Sequence, residues 1–133
     1  MQRLMKRGVS VAINYKCILA YGLSEEQLDK IRKRRIKVKE ITKENASKRI
    51  IDILCGDVSE GTCDELPVNE KALIFNGYND KELRETIRFI RSFVEGGVLA
   101  VVTEESSKWT FKYLIEHLVE EREWYQAQQK GGN

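Results

Sequence analysis

Two stretches of the chain decide its fold: Cys17-Ile-Leu-Ala-Tyr-Gly22-Leu-Ser24-Glu-Glu-Gln-Leu28 and Ala72-Leu-Ile-Phe-Asn-Gly77-Tyr-Asn79-Asp-Lys-Glu-Leu83. Each runs through an apolar segment, a glycine, one large apolar residue and a helix start. Gly22 aligns on Gly77, Ser24 on Asn79 and Leu28 on Leu83. The apolar runs read as short buried strands. Gly22 and Gly77 allow the sharp exit that a Cβ would resist. Ser24 and Asn79 are cap residues, and Gln27 and Glu82 three positions on complete two capping boxes, with Leu23 and Tyr78 at the staple position.

Outward from these stretches the pattern continues in both copies. A first helix is expected over 25–34, with Leu28 and Ile31 on its apolar face. Its counterpart is expected over 80–94, with Leu83, Ile87, Ile90 and Phe93 at helical spacing. Ile36-Lys-Val38-Lys-Glu-Ile41 alternates as a half-covered strand does, and Val98-Leu-Ala-Val-Val102 is apolar throughout, as a strand covered on both faces is. Each ends at a threonine, Thr42 or Thr103. A further helix follows in each copy, marked by Ala46, Ile50, Ile51 and Leu54 in the first. Phe111, Leu114, Ile115, Leu118 and Val119 mark the second, which runs past Trp124.

Strands alternating with helices predict an α/β fold: an open, mainly parallel four-stranded sheet with helices on both faces, built from two βαβα repeats. Crossovers of one hand put the second strand of each copy outside, giving the order 2-1-3-4 with the Gly22 and Gly77 turns side by side at the centre. The chain is then a single domain over residues 1–133, with repeats at about 9–54 and 71–126. Residues 55–70, with Gly56, Gly61, Pro67 and five acidic residues, read as an acidic linker. Val9, Val11, Ile13 and Tyr15 alternate as an extra strand would, and residues 1–8 and 127–133 read as loose ends.

The 133 residues are 41% hydrophobic and 33% charged, an ordinary globular composition. No stretch approaches the length of a membrane span, so no membrane partner is expected. The net charge of +2 conceals an asymmetry: residues 1–43 carry 12 Lys/Arg and 4 Asp/Glu, and residues 44–133 carry 11 and 17. Three cysteines, Cys17, Cys55 and Cys63, without a secretory signal point to reduced thiols in a cytoplasm.

The segment Ala72 to Arg122 resembles the bacterial and archaeal domain of unknown function 3783 family. The resemblance lies in Leu73-Ile-Phe-Asn-Gly77-Tyr, Asp80-Lys-Glu-Leu83, Val98-Leu-Ala-Val-Val-Thr103, Trp109-Thr and Leu114-Ile115-Glu-His-Leu118. The N-terminal half looks like a diverged relative, with Tyr21 in place of Asn76 and Ala46 near the position of Trp109. The resemblance supports the fold boundaries and implies no activity, catalytic residue or cofactor.

Three sets of residues are candidates for a site. Gly22, Ser24, Asn76, Gly77, Asn79, Thr103 and Trp109 would surround a central crevice. Helix starts beside glycines there offer unpaired N–H groups to an anion, and Trp109 a platform. Against this, every capped helix has such groups, neither turn is a phosphate-binding motif, and tryptophans usually pack. Lys30, Arg32, Lys33, Arg34, Arg35, Lys37 and Lys39 form a dense basic run. It is either a phosphate-contacting surface or a solvated helix and edge strand. Cys55 and Cys63 match no zinc spacing, and His117, the one histidine, has no orienting partner in the sequence, so neither metal nor nucleophilic catalysis is expected. The leading expectation is a non-catalytic binding or regulatory module, without cofactor, contacting a protein, a second copy of itself or a small ligand at the crevice. A nucleic-acid-associated protein using residues 30–39 is the alternative, and an enzyme of unstated type the third reading.

Overall fold

Four strands and four helices build the fold seen in the computed structural model, which describes residues 15–56 and 63–131. In chain order they are β1 (Cys17–Tyr21), α1 (Glu25–Lys33), β2 (Val38–Ile41), α2 (Ile50–Leu54), β3 (Ala72–Asn76), α3 (Asp80–Arg91), β4 (Val98–Val101) and α4 (Phe111–Gly131). Short 3-10 turns at Lys43–Asn45 and Ser106–Lys108 precede α2 and α4. Both capping boxes form. The Ser24 hydroxyl accepts from the Gln27 N–H at 3.1 Å and the Asn79 side chain accepts from the Glu82 N–H at 2.8 Å. Each helix therefore starts one residue beyond its cap, where the sequence put it.

Because successive side chains of a strand point to opposite faces, each strand feeds two cores. Cys17 and Leu19 of β1 with Ala72 and Ile74 of β3 face Ile50, Ile53 and Leu54 of α2 and Phe111, Leu114 and Ile115 of α4. Ile18, Ala20, Leu73 and Phe75 face Leu28 and Ile31 of α1 and Ile90 of α3. Helices thus cover both faces of one four-stranded open sheet, in the expected order β2-β1-β3-β4.

The sheet is mixed, which corrects the expectation of its strand directions. β1 and β2 are parallel, as are β3 and β4, but the central pair β1–β3 is antiparallel. Leu19 stands opposite Ile74, Cys17 opposite Asn76 and Tyr21 opposite Ala72. Gly22, after β1, therefore lies beside Lys71, and Gly77, after β3, lies beside Lys16. About 17 Å of strand separates the two glycine turns, so the central crevice between them does not form. The five residues of α2 rise only about 7.5 Å, less than half the length of β1, so the helix by itself does not carry the chain back across the sheet. The chain re-enters at the end where β2 left it.

Residues 127–131 continue α4 rather than trailing as a loose end. The strand expected over Val9, Val11 and Ile13 lies outside the described residues, as do positions 1–8 and 57–62 of the expected tail and linker. Among the described residues no helix is long and apolar enough to cross a membrane.

Candidate functional site

The two ends of the sheet differ in access. At the Gly22 end the backbone is closed on itself. A Cβ on Gly22, whose φ is +81°, would lie 2.1 Å from the Glu70 carbonyl oxygen, and one on Gly97 would lie 2.6 Å from that of Lys71. The Gln27 amide donates to the Phe93 carbonyl at 3.2 Å and the Tyr21 hydroxyl to that of Pro67 at 2.7 Å. Arg122 reaches down from α4 to clasp Glu70 with two N–H donors, at 3.1 and 2.5 Å.

The Gly77 end is open. A cavity of about 410 Å³ is lined there by Tyr15, Lys16, Arg34, Arg35, Ile36, Lys37, Tyr78 and Thr86. Parallel pairing of β1 and β2 sets their leading residues side by side, with the Ile18 N–H on the Lys37 carbonyl at 2.9 Å. Antiparallel β3 brings Tyr78 to the same end. Asn76, buried at 1% exposure, donates its side-chain amide to the Tyr15 carbonyl at 2.6 Å and so fixes the entry to β1. Among the described residues four cations and no carboxylate line the cavity, though Lys16 also pairs with Glu82 beside it.

The cations of this surface rest on aromatic rings. The Lys16 ammonium lies 4.9 Å from the Tyr78 ring centre and that of Lys37 4.9 Å from Tyr15. Arg34 stacks 4.2 Å over Phe89, and Lys30 lies 5.2 Å from Phe93. At exposed sites such contacts contribute about 0.5–1 kcal/mol each, little enough to be exchanged for a ligand. Arg35 follows α1 at φ +63°, a left-handed conformation that non-glycine residues adopt at a cost of about 1–2 kcal/mol.

The first set of candidates is dispersed. Gly22 and Ser24 belong to the closed end, while Asn76, Gly77, Asn79 and Thr103 belong to the open one. The side chains of Ser24 and Asn79 are engaged as caps. Thr103 Oγ1 is bonded to Ser106, accepting from its N–H at 3.0 Å. Trp109 is half-buried against the core under α2 and α4, edge-on to Tyr113 at 4.9 Å and His117 at 5.5 Å. It does not line the cleft.

The basic run divides. Arg34, Arg35 and Lys37 line the cleft, and Lys30 and Lys33 extend the surface along α1. Arg32 is 3.8 Å from Asp29, and Lys39 donates to the Ile53 carbonyl at 2.9 Å. Tyr15, Lys16, Tyr78 and Thr86 were not among the candidates. Tyr15 and Lys16 had a signal: if β1 and β2 are parallel, the residues before β1 must neighbour those before β2. Tyr78 and Thr86 had none, because their place depends on the direction of β3.

Protonation is set by burial and pairing. Burial, reinforced by Cys17 and Glu82, pushes the Tyr78 hydroxyl up to about 12, so it stays a neutral donor. Burial also raises the Cys17 thiol, partly offset by Lys39 and Lys37, and keeps it neutral. The hydrogen bond from Lys16 holds Glu82 below the usual carboxylate range. Cys17 is buried, Cys55 and Cys63 are exposed, and all three are unpaired. Among the described residues no three His, Cys, Asp or Glu side chains are grouped to hold a metal.

Residues 71–125 match the model of a family described as Domain of unknown function (DUF3783). No curated protein matches the chain, and no solved structure does. The matched segment runs from the entry of β3 into α4. It contains Tyr78 and Thr86 of the cleft but none of its four cations, which all come from the other half of the chain.

Proposed function

We propose that this protein is a non-catalytic binding module whose working surface is the basic cleft at the Gly77 end, and whose ligand carries several negative charges. One observation carries the reading: Lys16 before β1 and Arg34, Arg35 and Lys37 before β2 converge with Tyr15 and Tyr78 on one cavity, while the smaller cavity of about 270 Å³ at the other end, beside Gly97, is lined by one arginine and one glutamate, Arg122 and Glu121. Like charges gathered around a concave wall raise the local concentration of an anion. The left-handed Arg35 supports this. A glycine would hold the same turn without strain, so the arginine is accounted for by its guanidinium in the cleft.

The test is titration with heparin and inorganic tripolyphosphate at low salt, followed by melting temperature and by affinity against salt. Binding should raise the melting temperature and weaken steeply with salt. Charge reversal in Arg34→Glu/Arg35→Glu should abolish it. If neither polyanion binds at low salt, the cleft is only a solvated surface.

We also infer that the halves are two copies of one βαβα unit, at about 9–54 and 71–126. The register supports this. Leu19 pairs with Ile74, its counterpart at a 55-residue offset, and Arg49 bridges Thr110, its counterpart at 61. The bonds around that bridge are reciprocal: Ile50 N–H to Trp109 O at 2.8 Å, Phe111 N–H to Lys48 O at 3.0 Å. A two-fold axis normal to the sheet would generate both pairings. The unpaired thiols favour a reducing, cytoplasmic setting.

A further inference from the structure

Resting on the cleft reading above, we propose that the anion is single-stranded nucleic acid, its phosphates held by Lys16, Arg35 and Lys37 and its bases stacked on Tyr15 and Tyr78. A site for phosphate alone needs donors and has no use for rings. Here the cations and rings come in pairs, Lys16 on Tyr78 and Lys37 on Tyr15. Each pair offers a nucleotide both of the contacts that hold single strands, a charge for the phosphate and a π face for the base. Both lysines are exposed, and Lys16 also pairs with Glu82. They can lift from the ring to a phosphate as a base takes their place, so the unliganded contacts keep the platforms covered until the strand arrives.

The same pairing continues out of the cavity along the seam of α1 and α3. Arg34 lies over Phe89 and Lys30 over Phe93, and the two phenylalanine rings are 5.2 Å apart. An open, mainly cationic track, with Glu82 paired to Lys16 at its edge, suits a chain, whereas a single small anion needs only a closed pocket. Duplex recognition by α1 does not fit. A groove-reading helix projects its basic side chains, and here Arg34 and Lys30 are laid down on the rings of Phe89 and Phe93.

The experiment uses the whole chain and labelled oligomers of about ten nucleotides, read by fluorescence anisotropy at low salt. The oligomers are oligo-dT, oligo-U, an abasic sugar–phosphate strand of equal length and a duplex. Oligo-dT or oligo-U should bind about tenfold tighter than the abasic strand, and the duplex more weakly than either. The tighter of the two identifies the DNA or RNA source. Tyr15→Leu should lower oligo-dT and oligo-U affinity about tenfold and leave the abasic strand unchanged. Tyr15→Phe keeps the ring and should restore the oligo-dT and oligo-U affinity that Tyr15→Leu loses. Equal binding of abasic and normal strands, or tighter binding of the duplex, overturns the proposal and leaves the polyanion cleft standing. If no oligomer and no tripolyphosphate binds, the cleft reading itself fails.

Discussion

Arg35 is where conformation and charge can be separated. Its left-handed backbone strains any residue with a Cβ, and its side chain is exposed at the mouth of the cleft. Arg35→Gly removes the strain while loosening the unfolded chain, and the balance should leave the protein about 0.5–1 kcal/mol more stable by urea unfolding. The same variant should bind polyanions more weakly, with a salt slope smaller by about one. A variant that gains stability and binds as before would show that the guanidinium does not touch the ligand. Glu70 raises a different question, because its carboxylate accepts both donors of Arg122 and is largely shielded, at 17% side-chain exposure. The hydrogen bond from Arg122 outweighs burial and holds its pKa below the ordinary value. A carboxyl depressed on folding stabilises the protein above its unfolded pKa, and that contribution is lost as pH falls through the folded one. Glu70→Gln should therefore lower the urea midpoint at neutral pH, by about 1 kcal/mol of stability. The gap between variant and parent should close as acid titrates Glu70. A gap that is constant with pH would assign the loss to packing.

At the scale of elements, the glycine turns show why one end of the sheet is sealed. Gly22 and Gly56 have nearly the same φ, +81° and +83°, but a Cβ on Gly56 meets none of the described residues within 4 Å whereas one on Gly22 strikes the Glu70 carbonyl. Gly56→Ala should cost about 1 kcal/mol, from backbone strain alone. Gly22→Ala should cost about 3 kcal/mol or more, because rigid backbone must move as well. Equal losses in thermal unfolding would mean that the Gly22 end is not closed by this contact. Strands, caps and sheet order were legible because each rests on local chemistry: the apolar runs, Ser24 and Asn79 before their helices, and crossovers within each half. The direction of β3 was not. A strand buried on both faces reads the same whichever way it runs, and the segment joining α2 to β3 has no periodicity from which its course could be read. That one sign moved the site. It separated Gly22 from Gly77 and carried Tyr78 to the basic residues before β1 and β2. The basic run itself was legible, but which of its members face the cleft depended on the rings of Phe89 and Phe93 beneath Arg34 and Lys30.

For the whole molecule, the antiparallel pairing of β1 and β3 predicts that the two halves unfold as one unit. Leu19 and Ile74 face each other at the middle of that pair, both at 0% exposure, in the core shared by α2 and α4. Leu19→Ala removes packing from both halves at once and should cost about 2–5 kcal/mol. The distribution of tryptophan makes this measurable. Both tryptophans, Trp109 and Trp124, lie in the second half, so their fluorescence follows that half alone, while far-UV circular dichroism follows the helices of both. A substitution in the first half should shift the two urea transitions together and equally, as a cooperative domain requires. Independent halves would behave otherwise: circular dichroism would split into two steps and the tryptophan transition would stay where it was. Coincident transitions would also bear on the cleft, since its cations belong to the first half and Tyr78 and Thr86 to the second. If the halves can open separately, the cations and the ring of Tyr78 are not held in register, and a ligand bound across them should then close the gap between the two transitions. If they open only together, the cleft is preformed, and a polyanion should raise both transitions by the same amount without changing their coincidence.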